Sequence, residues 1–176
     1  MKCGVISLEG ESSELIAKEA KKYFDDVDSL NIKHFQVYLS NKGIKVTYNE
    51  NELDKYDCLY VRGSFKYALL QRAVTRALHH DVYMPIKPET FTIGHDKFLT
   101  MIELQRNGVT IPKTYFAATT KLAKRLLEEV TYPVIMKTPA GTHGKGVMMA
   151  DSSESAKTVL DVLEGFKQPY IIQEFV

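Results

Sequence analysis

Lys137 closes an apolar run, Pro133-Val-Ile-Met-Lys137, and a glycine-rich turn, Gly141-Thr-His-Gly144-Lys-Gly146, comes shortly after it. A second apolar run, Val147 to Ala150, follows at once, so the turn is a flap between two strands. Glycine lets several backbone N–H groups point into one concavity, and Lys137 and Lys145 add positive charge. That combination suits a polyphosphate. Other phosphate motifs fail on the letters. A P-loop counted from Gly141 meets Val147 where its lysine belongs, and one counted to Gly144-Lys145 meets Gly146 in place of serine or threonine. A dinucleotide fingerprint needs glycine where Met149 stands. A kinase-type loop carries its lysine after the glycines, whereas here the lysine comes first.

The single residues are less telling than their arrangement. Burying an unpaired ammonium is costly, so Lys137 needs a partner, or else it simply surfaces at the strand end. Beside the flap, a phosphate partner is the favoured reading. Lys97, next to a helix start, and Glu174, near the end of Tyr170-Ile-Ile-Gln-Glu-Phe-Val176, read alone as ordinary surface residues. His79 and His80 are adjacent on a helix, so their side chains diverge and make no metal pair. No Cys, His or carboxylate cluster has metal-ligand spacing. Cys3 and Cys58 sit in strand-like runs and read as reduced core residues of a cytoplasmic protein.

The elements that must position these residues follow from pattern. The 176-residue chain has 44% hydrophobic and 26% charged residues, ordinary for a globular protein with a buried core. A net charge of +1 gives no basic face for nucleic acid. No apolar run nears the roughly 18 residues of a membrane span. Residues 2–8 predict a strand, and Ser12 or Ser13 can cap a helix with Ile16, Ala20, Tyr23 and Phe24 on one face. Residues 35–39 and 44–48 predict a hairpin, 57–63 a buried strand, and Leu69, Leu70, Ala73, Val74 and Leu78 a helix. Residues 83–94, with Pro85 and Pro88, read as a connection between domains. Asp96 then starts a helix that stops at Gly108. A strand over 114–117 precedes a helix carrying Leu122, Ala123, Leu126, Leu127 and Val130. The lysine strand, the flap and 147–150 follow, then a helix capped by Asp151 or Ser152 and closed by Gly165, and a last strand. This second half predicts a mostly antiparallel sheet backed by two helices.

The segments His95-Asp-Lys97, Gly108-Val-Thr-Ile-Pro-Lys-Thr114, Tyr132-Pro-Val-Ile-Met-Lys137, Gly141 to Val147 and Ile171 to Val176 resemble the ATP-grasp ligases, specifically the RimK-like glutamate-ligase branch. The resemblance runs over the whole chain. It implies an α/β fold: a pre-ATP-grasp α/β domain over 1–94, then the first ATP-grasp lobe over 95–176, an α+β sheet backed by helices. It also implies that Lys97 and Lys137 approach ATP, and that Gly141, Thr142, Gly144, Lys145 and Gly146 close over the β- and γ-phosphates. Glu174 would contact the nucleotide, and the backbone of Phe175 would pair with the adenine edge. Arg62, ending Val61-Arg-Gly63, would bind substrate. Its other reading is a surface arginine after a strand. His143 is given no chemical role.

In the family the reaction joins a carboxylate to an amine through an acyl phosphate made from ATP, with glutamate or a related amino acid as one substrate. The cofactor is ATP with Mg²⁺ or Mn²⁺. The metal ligands and catalytic residues of the family lie in a C-terminal lobe beyond the last strand, so the chain reads as the N-terminal part of a longer protein. Without that lobe it is expected to bind ATP weakly, to lack ligase activity, and to self-associate through an exposed apolar inner face. A non-catalytic nucleotide-binding or regulatory module on the same fold is the alternative.

Overall fold

The computed structural model describes residues 1–141, 144–165 and 169–176. They form two compact units, Met1–Ile93 and Gly94–Val176. In the first unit, β1 (Lys2–Ser7), α1 (Glu11–Ala20) and β2 (Asp26–Asn31) are followed by β3 (Phe35–Ser40), β4 (Gly43–Tyr48) and β5 (Asn51–Glu52). β6 (Cys58–Val61), α2 (Ala68–Leu78) and α3 (Thr90–Ile93) complete it. β2, β1 and β6 make a parallel sheet in that order, and β3, β4 and β5 an antiparallel one. Residues of both sheets and of α2 share one core, with Ile6, Ile32, Val61 and Val74 fully buried.

Sequence patterning misses β2, Asp26-Val-Asp-Ser-Leu-Asn31, because its alternation is poor. The strand is held by its neighbour instead, pairing along the length of β1. The Lys2 ammonium lies 2.9 Å from the Asp28 carboxylate, which also accepts from the Tyr56 hydroxyl at 2.7 Å. Three further expectations shift. Gly10, not Ser12 or Ser13, stands at the N-cap of α1, and Ser13 is buried within the helix. Tyr23 lies beyond that helix and is 70% exposed. Leu69 is 81% exposed, and Gln71 and Thr75 take buried positions on α2 beside Val74. Gln71 earns that place through its hydrogen bonds: its amide accepts from the Ser64 N–H at 2.9 Å and donates to the Arg62 carbonyl. Cys3 and Cys58 face each other across β1 and β6 as buried free thiols. Burial pushes the Cys3 thiol up to about 11.

The second unit runs α4 (Lys97–Arg106), β7 (Thr114–Ala117), α5 (Thr120–Leu126), β8 (Val134–Lys137), β9 (Val147–Ala150), α6 (Ser153–Glu164) and β10 (Tyr170–Glu174). Its sheet is antiparallel throughout, in the order β7-β10-β8-β9. The period of two sorts side chains between its faces. Val134, Met136, Ala150, Tyr170 and Ile172 join Ala123 and Leu127 beside α5 and Ala156, Leu160 and Leu163 of α6 in one core. Each large aliphatic side chain buried there stabilises the unit by roughly 1.5–3 kcal/mol. Ser152 caps α6 with a reciprocal hydrogen-bond pair to Ser155. Ile135, Lys137, Ile171 and Gln173 point to the opposite face. α4 approaches that face at β7, where the Phe98 ring stacks on Phe116 at 4.6 Å.

Candidate functional site

Alternation along β8 decides where Lys137 points. Val134 and Met136 are buried in the helix-backed core, so Lys137 emerges on the other face, half-buried at the strand end. Its ammonium donates to the Gln173 side-chain oxygen at 2.6 Å. Lys97 reaches the same neighbourhood from α4. Asp96 caps that helix by accepting from the Phe98 and Leu99 N–H groups at 2.9 and 2.8 Å, which fixes Lys97 at the first helical position. The Lys97 ammonium donates to the carbonyls of Thr138 and Gly141, both at 3.1 Å. Its backbone N–H donates to the Pro139 carbonyl at 3.0 Å. Lys97 is therefore pinned to the stem of the glycine turn, directly after Lys137.

The Lys137 ammonium feels the charge of Lys97. Burial pushes the pKa of Lys137 down, and the charge of Lys97 pushes it further the same way. Burial also lowers Lys97, partly opposed by Asp96. Both shifts disfavour the charged forms, and an anion bound beside the two ammonium groups would favour them again.

The turn is built for close backbone approach. Gly141, Gly144 and Gly146 have φ of 135°, 73° and 72°, where a side chain is strained. A Cβ on Gly146 would come within 2.7 Å of the Thr138 hydroxyl, and one on Gly141 within 3.0 Å of the Lys145 carbonyl. The stem closes through Thr138 N–H to the Gly146 carbonyl at 3.1 Å. Lys145 is exposed on the turn. Thr142 and His143 lie outside the described residues.

The remaining candidates stand apart from this cluster. Glu174 pairs with Val134, at the other end of β8 from Lys137, and its carboxylate lies 3.9 Å from the Lys113 ammonium. Phe175 follows β10 and is 56% exposed. Arg62 belongs to the first unit, half-buried after β6, with its N–H donating to the Ile6 carbonyl at 2.8 Å. Gln173 and Thr114 are the residues that sequence reasoning missed. A glutamine in the apolar run of β10 was the available signal, because a buried amide requires partners. Among the described residues no group of three His, Cys, Asp or Glu side chains could hold a metal ion. The Mg²⁺ or Mn²⁺ ligands that the family resemblance implies are expected beyond the last strand, outside these residues. No helix among them is long and apolar enough to cross a membrane.

Residues 94–176 match the family described as the RimK-like ATP-grasp domain. A probable alpha-L-glutamate ligase of Syntrophotalea carbinolica is 28% identical over 133 residues, covering 74% of this chain and 44% of that protein. The chain spans about half the length of the curated relatives it matches. A RimK domain ATP-grasp protein of Sphaerobacter thermophilus superposes with a TM-score of 0.68 at 14% identity, over 100% of this chain and 64% of that one. The ATP-grasp ligase PsnB, complexed with a phosphomimetic precursor variant, Mg and ADP, superposes with a TM-score of 0.65 at 13% identity, over 99% and 64%. These structural likenesses show the fold, which is mixed α/β of the ATP-grasp kind. Gly94–Val176 thus belongs to the RimK-like ATP-grasp family.

Proposed function

We propose that the whole protein is an ATP-dependent carboxylate–amine ligase. The observation that carries this reading is the pair of half-buried lysines, Lys97 and Lys137, at the stem of a glycine turn with three left-handed residues. In this reading the turn from Gly141 to Gly146, with Thr142 and Lys145, lies over the β- and γ-phosphates of ATP. Lys97 and Lys137 neutralise phosphate oxygens through the N–H donors that the protein leaves over, since an ammonium has three. Lys97 spends two on carbonyls and Lys137 one on Gln173, counted among the described residues. Glu174 and the backbone of Phe175 take the nucleoside end. Residues 1–94 are the pre-ATP-grasp domain, residues 95–176 the first ATP-grasp lobe, and Arg62 faces the substrate carboxylate.

The reaction transfers the γ-phosphoryl group of ATP to a carboxylate oxygen, giving an acyl phosphate and ADP. An amine nitrogen then attacks the acyl carbon, loses a proton, and expels inorganic phosphate to leave an amide. Catalysis is positioning and charge neutralisation of the transferring group. The names of the curated relatives favour glutamate, or a similar amino acid, as one of the two substrates. Substituting Lys137→Ala in the full-length protein should cut ATP turnover by about a hundredfold or more. ATP consumption that survives the substitution unchanged would refute the assignment.

A further inference from the structure

Gln173 is 7% exposed, yet every polar group of its amide has a partner. Its oxygen accepts from the Lys137 ammonium at 2.6 Å. Its nitrogen donates to the Thr114 hydroxyl at 2.7 Å and points a second N–H at the Met101 sulfur, 4.0 Å away. Register brings the residues together: β10 lies between β7 and β8, and Gln173 pairs with Thr114 on one side and Ile135 on the other. The alternation that turns Lys137 away from the core shared with α5 and α6 turns Gln173 and Thr114 the same way.

An amide can be seated either way round, and only one way serves a lysine. Seated with its NH₂ toward Lys137, Gln173 would set donor against donor. What decides the seating lies one residue further back. The Thr114 hydroxyl is 2.8 Å from the Pro112 carbonyl. A carbonyl has no proton, so the hydroxyl must donate to it and is left to accept from its other neighbour. Gln173 must then present nitrogen to Thr114 and oxygen to Lys137. The direction of each bond follows from the one before it, starting at a proline carbonyl. The Ile111-Pro-Lys-Thr114 stretch supplies both the carbonyl and the hydroxyl.

We propose that Thr114 and Gln173 form a polar relay that positions the Lys137 ammonium, with Gln173 as the positioning residue and Thr114 setting which way its amide faces. The proposal rests on the nucleotide reading for what Lys137 is aimed at, the polyphosphate of ATP. The relay takes one N–H of Lys137 and, among the described residues, leaves the other two for a ligand. It thereby limits the rotamers of a long side chain that would otherwise be disordered before a ligand arrives.

The experiment is a two-background comparison in the full-length protein, with ATP and adenosine as titrants in calorimetry. Thr114→Val keeps the shape and removes the hydroxyl, so the amide can flip. ATP affinity should fall about tenfold while adenosine affinity stays put, and Thr114→Ser should restore ATP binding. Gln173→Glu supplies an acceptor to Lys137 whichever way its symmetric carboxylate is seated. In that background Thr114→Val should therefore have no further effect on ATP affinity. An equal loss in both backgrounds, or a parallel loss of adenosine, makes Thr114 a packing residue and overturns the relay. A wild-type protein that binds no ATP overturns the nucleotide reading instead. Acetic anhydride labelling of Lys137, followed by mass spectrometry without nucleotide, then decides the relay by itself. Thr114→Val should speed labelling of Lys137 several-fold and leave the other lysines unchanged, and an unchanged Lys137 rate overturns it.

Discussion

Gly144 and Gly146 have nearly the same φ but differ in what surrounds them. Among the described residues nothing lies within 4 Å of a Cβ on Gly144, whereas one on Gly146 meets the Thr138 hydroxyl at 2.7 Å. Gly144→Ala should therefore cost only the left-handed strain of an L-residue, about 1 kcal/mol. Gly146→Ala adds a clash with a group that itself donates to the Ala140 carbonyl, so the stem must move. Urea denaturation should rank Gly146→Ala as the more destabilised, and ATP affinity should fall in the same order. The Lys137 ammonium sets a second residue-scale expectation. Its pKa is lowered by burial and by Lys97, so it loses its proton at a lower pH than an exposed lysine, whose ordinary value is about 10.4. ATP affinity should decline as pH rises through that lowered range. In Lys97→Met the decline should move to higher pH, because the repelling charge is gone. A profile unmoved by Lys97→Met would mean that the lysines do not act on a common anion. Lys137 was legible in the sequence as a charge inside an apolar strand. Gln173 offered the same signal one strand away, but its partners, Thr114 and Pro112, become visible only when β7 is set beside β10.

At the scale of elements, α4 shows how a cap can serve a site. Asp96 accepts from two N–H groups of the first turn, and Lys97 follows at once with its backbone tied to Pro139. Asp96→Ala should lower stability by about 1 kcal/mol, the usual cost of losing an N-cap side chain, and should weaken ATP binding as Lys97 shifts. Asp96→Asn keeps the cap acceptor and removes the charge, so its unfolding midpoint should match the wild type. The cap at Asp96 and the strands of the second unit could be read from local pattern, since each strand there alternates or runs apolar; Ser152 was one of two cap candidates for α6, and the helix expected to carry Leu127 and Val130 ends at Leu126. The first unit hid more. The strand from Asp26 to Asn31 is specified by its pairing with β1 and by Lys2 against Asp28, a contact that no local window contains. Gln71 takes a buried place on α2 because of carbonyl and N–H groups after β6, while hydrophobic Leu69 points to solvent.

At the scale of the molecule, the fold class follows from the order of elements. The first unit holds a parallel sheet and a separate antiparallel one, whereas the second unit has a single sheet that is antiparallel throughout and is interleaved with α5 and α6. Each unit has its own hydrophobic clusters, and the one behind the candidate site is made only of residues from Gly94–Val176. Leu160 is fully buried in it, on the helix that packs against β8 and β9. Truncating it should leave a cavity and destabilise this core by 2–5 kcal/mol, roughly the range of such substitutions. The consequence for the site is a loosening of the sheet that carries Lys137 and Gln173, with no atom of the site removed. Hydrogen exchange on Leu160→Ala should show protection of the β8 and β10 amides reduced by about thirtyfold or more. The amides of β1, whose side chains belong to other clusters, should keep theirs. Loss of protection on β1 to the same degree would mean that the chain opens as one cooperative body, and that the stability of the lysine-bearing sheet cannot be tuned by its own core alone.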